Sequence, residues 1–339
     1  MSFDLTQNIR HHGFKRLLLA VSGGLDSICL AHYFIANSEV LGFEWLGIAH
    51  VHHGLREGTA DRDAAFVEAF AKAHNVPFFL KKLDGEALKS ADGSLEENAR
   101  AARYKALHET AEGCEAIVTA HHAGDQAETM YMRLRRGTTL AGLRGIQPLR
   151  QTQGPFIYRP LLNVTREELL AYARENNLTW CEDESNADVK FSRNKVRHEL
   201  LPLLEQECPD ATKHLCRVAE LADRAYKKVL TRCEELFAET RNDAPIFTLD
   251  KKKLNKLLRE HADTDLSEMF RLWIAEQGFR FPIAFFYGPK EPAHVKIPHR
   301  AAYRRRSIAK IGHTVQICEF RTPEDAQKFV SCEMKEKGL

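Results

Sequence analysis

The segment that most constrains this chain is RLLLAVSGGLDSICLAHYF, residues 16–34. An apolar run meets a glycine pair and then a stretch with helical spacing, which is the outline of strand, tight loop and helix. Gly23 and Gly24 let the backbone curl and bring N–H groups close to an anion. The helix that begins at Leu25 adds its positive N-terminal end. Ser22 and Ser27 offer hydroxyl donors for phosphate oxygens, and the loop has no lysine. Asp26 repels a phosphate unless a cation lies between them, so it implies Mg²⁺. A lysine in such a loop serves γ-phosphoryl transfer. A loop without one fits retention of pyrophosphate as a unit, with ATP split between its α and β phosphates and AMP passed to an acceptor. The plainer reading is a strand–helix turn capped by Ser and Asp; the six-residue run SGGLDS in that position weighs against it.

Alternation of strands and helices continues through the first half. RLLLAV, EWLGIAHV (44–51), VPFFLKKL (76–83) and EAIVTAH (115–121) read as buried strands. Helical spacing occupies about 25–38, 60–75, 94–113 and 125–136, and Ser94 with Glu97 forms a capping box. This pattern predicts an α/β fold, a doubly wound parallel sheet covered on both faces. Ligands then bind beyond the carboxyl ends of the strands. Past Gly154 the pattern turns helical: NVTREELLAYARENN with a second capping box at Thr165 and Glu168, FSRNKVRHELLPLLEQE, and charged stretches at about 210–240 and 250–278. The last sixty residues suggest a small β element at HTVQICEF. The expected division is a catalytic domain over 1–208, a helical domain over 209–280 and a small α/β or β remnant over 281–339.

With 44% apolar and 28% charged residues the chain reads as soluble and globular, with no signal peptide and no membrane span. Its eight cysteines include no C-x-x-C pair and read as reduced cytoplasmic thiols. A net charge of +2 hides two windows without an acid. One runs from Thr129 to Arg159 and carries Arg133, Arg135, Arg136, Arg144, Arg150 and Arg159; the other runs from Pro292 to Cys318 and carries Lys296, Arg300, Arg304, Arg305, Arg306 and Lys310. One such window is as well explained by a solvated face; two favour a nucleic acid.

SGGLDS resembles the pyrophosphate-binding loop of the ATP-pyrophosphatase (PP-loop) superfamily. Further segments narrow the likeness: VHHGLR (51–56), ENARAARYKAL (97–107), VTAHHAGDQAETMYMRLRRGTTLAGLRGI (118–146), RPLLNVTREEL (159–169) and DESNADVKFSRNKVRHELLPLL (183–204). In this order, over about residues 15–205, the chain resembles the tRNA(Ile)-lysidine synthetase family. That resemblance implies an adenine nucleotide α-hydrolase-like domain and a ligase using ATP and Mg²⁺, and it alone assigns tRNA binding to the helical domain over 209–280. ATP would adenylate the C2 oxygen of the wobble cytidine of a minor tRNA(Ile), and the ε-amine of free L-lysine would displace AMP. Thiolases of the same superfamily normally carry cysteine pairs, which are missing here, and a tRNA-binding protein with a degenerate loop is opposed by the intact Ser22–Ser27 run.

The resemblance and the residues together nominate a site. Ser22, Gly23, Gly24, Leu25, Asp26 and Ser27 would hold ATP, with His53 and Arg103 near the nucleotide and Arg56 beside it. Asp125 and Glu128 share a helix face and would hold Mg²⁺, with Asp26, or the ammonium groups of lysine. His122 would take the proton that the ε-amine loses. Helix-dipole compensation remains the bland reading of the two acids. Arg100 and Arg103 would reach ATP phosphates or RNA, or lie on a plain surface. Arg193, Asn194 and Arg197 would grip the lysine carboxylate or the anticodon backbone. Arg133 and Arg136 lie where the family contacts the anticodon loop. Many family members carry Asp or Asn immediately before this Asp, where Gly124 stands here. Histidines 50, 52 and 53 crowd one strand end, but with no acid or cysteine at ligand spacing they do not read as a zinc site. Whether the chain forms a homodimer is open at this level.

Overall fold

In the computed structural model, which describes residues 4–52, 54, 59–182, 192–237, 241–242, 247–250, 306–311 and 314–319, the first predicted strand is β1 (Arg16–Ala20). Its side chains are buried from Leu17 onward, and they alternate between two separate cores. Leu17 and Leu19 enter one, Leu18 and Ala20 the other, which is why the strand is apolar from Leu17 onward. β2 (Trp45–His52) and β4 (Ala116–Thr119) flank β1 in parallel, with Leu19 opposite both Ile48 and Val118. β3 (Phe78–Lys82) joins β2 in parallel, and β6 (Phe156–Tyr158) joins β4. A two-residue strand, β5 (Leu149–Arg150), adds an antiparallel edge, giving a six-stranded sheet of order β3-β2-β1-β4-β6-β5.

The helices cover both faces. Before the sheet comes α1 (Thr6–His12); after β1 come α2 (Leu25–Ala36) and the short α3 (Ser38–Leu41). α4 (Thr59–Ala73) links β2 to β3, and α5 (Gly85–Ser90) and α6 (Leu95–Thr110) link β3 to β4. α7 (Ala123–Arg135) and α8 (Leu140–Leu143) precede β5, and α9 (Arg166–Glu175) follows β6. Ile28 and Leu30 of α2, Val67 and Ala71 of α4, and Leu169 and Ala173 of α9 pack on the Leu17–Leu19 face, whereas Leu107 of α6 packs on the Leu18–Ala20 face. One capping box forms in full, with Thr165 and Glu168 capping α9 reciprocally; at α6 one half forms, the Ser94 hydroxyl accepting from the Glu97 N–H. The fold class read from the sequence is therefore the one observed. Strand order reverses between β1 and β4, so the crevice at their carboxyl ends is the natural ligand position.

Beyond β6 and α9 the chain continues through α10 (Ser192–Lys195), a π-helical turn (Val196–Leu200), α11 (Leu201–Glu207) and α12 (Ala211–Phe237). Contacts divide it into two units, Met1–Ala222 and Asp223–Leu339. In the second unit β7 (Arg241–Asn242), β8 (Phe247–Asp250), β9 (Arg306–Ile311) and β10 (Thr314–Glu319) form an antiparallel sheet of order β7-β8-β10-β9. Residues 241–250 fall between the two stretches read as helical, inside the domain expected over 209–280, and β8 pairs with β10 from the stretch expected as a separate remnant. Alternation in short strands carries little periodic signal, and the pairing partner lies more than sixty residues away. The helix expected at 250–278 lies outside the described residues, as do Lys296, Arg300, Arg304 and Arg305.

Candidate active site

The turn at Ser22–Leu25 leaves β1 and enters α2 at the crevice. Gly23 adopts φ +100°, a conformation that L side chains rarely take, and Gly24 is the extended N-cap of α2. Ser27 is buried and holds the loop from within: its Oγ accepts from the N–H groups of Ser22 (3.1 Å) and Gly23 (3.2 Å) and donates to the Gly24 carbonyl (2.9 Å). The Gly23 carbonyl in turn accepts from the Cys181 N–H at 2.9 Å. The two serines thus differ. Ser27 shapes the loop, while Ser22 is exposed and, with the first-turn amides of α2, faces what the loop binds.

Asp26 projects from the first turn of α2 toward the end of β4. Its Oδ2 lies 3.7 Å from Nε2 of His122, and its Oδ1 lies 3.7 Å from Nη1 of Arg166 at the start of α9. That Oδ1 is buried and lacks a hydrogen-bond partner among the described residues. A buried carboxylate oxygen left unsatisfied is costly unless a cation or donor completes it. The donor set fits Mg²⁺ in this respect, with phosphate oxygens and water filling the remaining positions. Asp125 fits less well. Its Oδ1 accepts from Arg197 Nη2 at 3.0 Å and its Oδ2 from the His122 N–H at 3.0 Å. Burial alone would raise the Asp125 carboxyl, but His122, His121, the His122 N–H bond and Arg197 outweigh it and hold it below its usual range.

His122 is the N-cap of α7. Its Nδ1 accepts the Gly124 N–H at 3.0 Å, so the neutral ring carries its proton on Nε2, facing Asp26 and, at 3.8 Å, Asp125. The ring lies over Gly124: a Cβ there would stand 2.6 Å from His122 Cε1. Glycine at 124 is what lets the imidazole fold back onto its own helix.

Glu128, one turn along α7, is 1% exposed. Its Oε2 accepts from Arg193 Nε at 2.8 Å and its Oε1 from Arg197 Nε. Moving a carboxylate out of water costs several kcal/mol, and two charge-assisted bonds offset that here. Arg193 comes from α10 and Arg197 from the π-helical turn that follows it. Leu201 N–H reaches back to the Val196 carbonyl, a step of five, just before Pro202, which has no N–H and crowds the carbonyl four residues back in an α-helix. Arg193, Arg197, Asp125 and Glu128 thus form one neutral cluster, and Asn194 shares α10 with Arg193.

Other nominated residues are placed differently. Nη1 of Arg133 donates to the carbonyls of Gly142 (2.6 Å) and Gly145 (3.0 Å), bracketing the loop after α7, while Arg136 is exposed with Nε on the Met132 carbonyl. Nη1 of Arg133 therefore holds protein backbone. Arg100 and Arg103 lie on the opposite face, on α6, near His121 at the end of β4. Burial, opposed by Asp125 and reinforced by Arg159, Arg100 and Arg103, drives the His121 pKa down. His53 and Arg56 lie outside the described residues. Sequence reasoning missed Arg166; its signal was its place directly after the α9 cap, Thr165.

The profile of the PP-loop domain family matches residues 2–204. The tRNA(Ile)-lysidine synthase of Haemophilus ducreyi is 35% identical over 282 residues, 82% of this chain and 61% of that protein. That of Geobacter sulfurreducens is 40% identical over 220 residues, 63% of this chain and 46% of that protein. The chain thus spans less than two thirds of the length of these relatives. Among solved structures, the U34-tRNA thiolase NcsA of Methanococcus maripaludis, with its [4Fe-4S] cluster, superposes with a TM-score of 0.52 at 19% identity, over 65% of this chain and 78% of that one. This is a likeness of fold.

Proposed function

Because the chain belongs to the PP-loop domain family, we propose that it ligates free L-lysine to C2 of the wobble cytidine of a minor tRNA(Ile), consuming ATP and releasing pyrophosphate and AMP. The observation that carries this reading is the approach of Asp26, from the pyrophosphate loop, to within 3.7 Å of His122, from the next strand of the crevice, which joins a triphosphate site to a pair of carboxylates. The relatives named tRNA(Ile)-lysidine synthase supply the identity of the acceptor.

In the first step the cytidine O2 attacks the α-phosphorus and the bond to the β-phosphate breaks. Ser22 and the amides that open α2 take the charge developing on pyrophosphate. Mg²⁺, when bound at Asp26, neutralises phosphate oxygens. Nε2 of His122 lies 3.7 Å from Asp26 and 3.8 Å from Asp125, and its N–H faces both carboxylates. In the second step the lysine ε-amine attacks C2 and the C2–O bond to AMP breaks. Lysine is a zwitterion, and the cluster answers both of its charges: Asp125 and Glu128 face its ammonium groups, Arg193 and Arg197 its carboxylate. Entry of lysine exchanges protein ion pairs for substrate ion pairs. His122 receives the amine proton once its Nδ1 releases the Gly124 N–H.

Among the described helices none is long and apolar enough to cross a membrane. The reading places the protein in the cytoplasm with its tRNA, ATP and lysine, and every residue used comes from one chain, so it does not require a homodimer. The test is AMP release by the purified chain, with and without lysine and the minor tRNA(Ile). Release that needs both supports the reading; release indifferent to lysine, or none at all, refutes it.

A further inference from the structure

The acid-free window between Thr129 and Arg159 is only partly used by the site described above. Two of its arginines, Arg150 on β5 and Arg159 just past β6, meet Arg100 and Arg103 of α6 around one phenol, Tyr104. The guanidinium carbons of Arg100 and Arg150 lie 5.2 and 5.7 Å from the Tyr104 ring centroid. Arg159 is 3% exposed; its Nη1 donates to the Gln147 carbonyl at 2.9 Å, and its guanidinium charge bears on the Tyr104 phenol. Its Nε is buried without a hydrogen-bond partner among the described residues. Burial would raise the Tyr104 phenol, yet Arg159, Arg100 and Arg103 pull it below its usual range.

This cluster is electrostatically the reverse of the one at Glu128. There, two guanidinium groups meet two carboxylates. Here, the charges that bear on Arg103, Tyr104 and Arg159 are arginines and the phenol itself. Like charges gathered where solvent is partly excluded are unfavourable unless an anion completes them. The exposed members, Arg100 and Arg150, present planar forks suited to phosphate, and both guanidinium groups gather at the one Tyr104 ring.

We propose that Arg100 and Arg150, gathered at the Tyr104 ring and backed by Arg159, form a phosphate clamp separate from the Ser22–Ser27 loop, and that its ligand is a backbone phosphodiester of the RNA strand carrying the modified nucleotide. The RNA part rests on the function proposed above. The assignment to RNA and not to ATP follows from placement. The phosphates of ATP already have the loop, the α2 N-terminus and Asp26, whereas the clamp lies on α6 and on the edge strand β5, where an extended backbone has access. Tyr104 and Arg159 are positioning residues.

The test is direct titration of the minor tRNA(Ile) across a range of salt concentrations, with no turnover required. Arg150→Ala should weaken binding about tenfold and reduce the slope of log K against log salt by about one, the signature of a lost phosphate contact. Arg150→Lys should keep the slope and still lose affinity, since it retains charge without the fork. Tyr104→Phe, which removes the phenol oxygen that faces the charge of Arg159 but keeps the ring, should weaken binding less and leave the slope unchanged. KM for ATP should stay at the wild-type value in all three. A wild-type chain that binds while Arg150→Ala matches it in affinity and slope removes the clamp alone. A rise in KM for ATP with unchanged RNA binding overturns it by giving the phosphate to the nucleotide. A wild-type chain that does not bind this tRNA removes the proposed function and the clamp with it.

Discussion

His122 and Gly124 occupy one space: the imidazole that caps α7 lies where any side chain at 124 would begin, 2.6 Å from a Cβ built there. The position at which the sequence departs from the resembled family is thus the one that seats the histidine between Asp26 and Asp125. Gly124→Ala would push the ring out. Loss of the cap costs about 1 kcal/mol, and alanine in place of glycine near a helix start returns a similar amount, about 1 kcal/mol. Stability by urea denaturation should therefore stay within about 1 kcal/mol of wild type, while AMP release falls roughly tenfold or more. A variant that is fully active would show that the seat of His122 does not matter.

Glu128 is the buried centre of the cluster. Glu128→Gln keeps its shape but leaves Arg193 and Arg197 with Asp125 as their one ion-pair partner among the described residues. Breaking a buried pair costs about 3–5 kcal/mol, and the two arginines are one third exposed, so solvent reduces this to roughly 2 kcal/mol. The urea midpoint should drop with an unchanged m-value, and KM for lysine should rise. An unaltered midpoint would mean that water replaces the carboxylate.

Burial pushes the His50 pKa down, against the raising effects of its bond to the Val21 carbonyl and of Asp63. A histidine depressed in the folded state stabilises above its unfolded pKa of about 6.5 and loses that contribution as pH falls. Unfolding free energy should therefore decline from about pH 6.5 toward pH 5, by at most about 1.4 kcal/mol per pH unit for each such histidine. His32 and His121 are depressed too, burial being the first cause in each, so His50→Asn should flatten the decline without abolishing it. An identical slope in the variant would place the sensitivity elsewhere.

The unpartnered oxygen of Asp26 predicts a metal requirement. Chelation should stop AMP release and Mg²⁺ should restore it, and Asp26→Asn should lower the rate by about a hundredfold or more at saturating ATP. Affinity for the tRNA, titrated separately, should remain within about twofold, because Asp26 contacts no RNA in this scheme. Metal-independent turnover would exclude the role given to Asp26.

The described cysteines sort by burial. Cys29 and Cys216 are pushed up to about 12, and Cys181 and Cys233 to about 11, burial first in every case. Their thiolates are scarce at neutral pH, whereas Cys208 is exposed. Mass spectrometry after brief iodoacetamide treatment should find Cys208 alkylated before these four. Equal labelling of Cys29 would mean that the core opens on that timescale.

Local pattern determined the sheet, the pyrophosphate loop and the capped helices of this protein. RLLLAV is apolar at every position after its first because both faces are covered, and Ser94–Glu97 and Thr165–Glu168 cap because their partners are three residues away. Such signals depend on backbone geometry over a few residues, so one sequence carries them. Charge pairing does not work this way. SRNKVR reads as two arginines waiting for a substrate; the fold carries them 65 and 69 residues back to Glu128. Arg133 reads as an RNA contact and closes a loop, and Ser27 reads as a phosphate donor and closes another. An ionic side chain takes whatever partner the packing of distant elements brings within reach. Sequence therefore fixed the crevice and the residue types around it, and only the tertiary structure decided which charges meet one another and which, around Tyr104 and at Asp26, are left for a ligand.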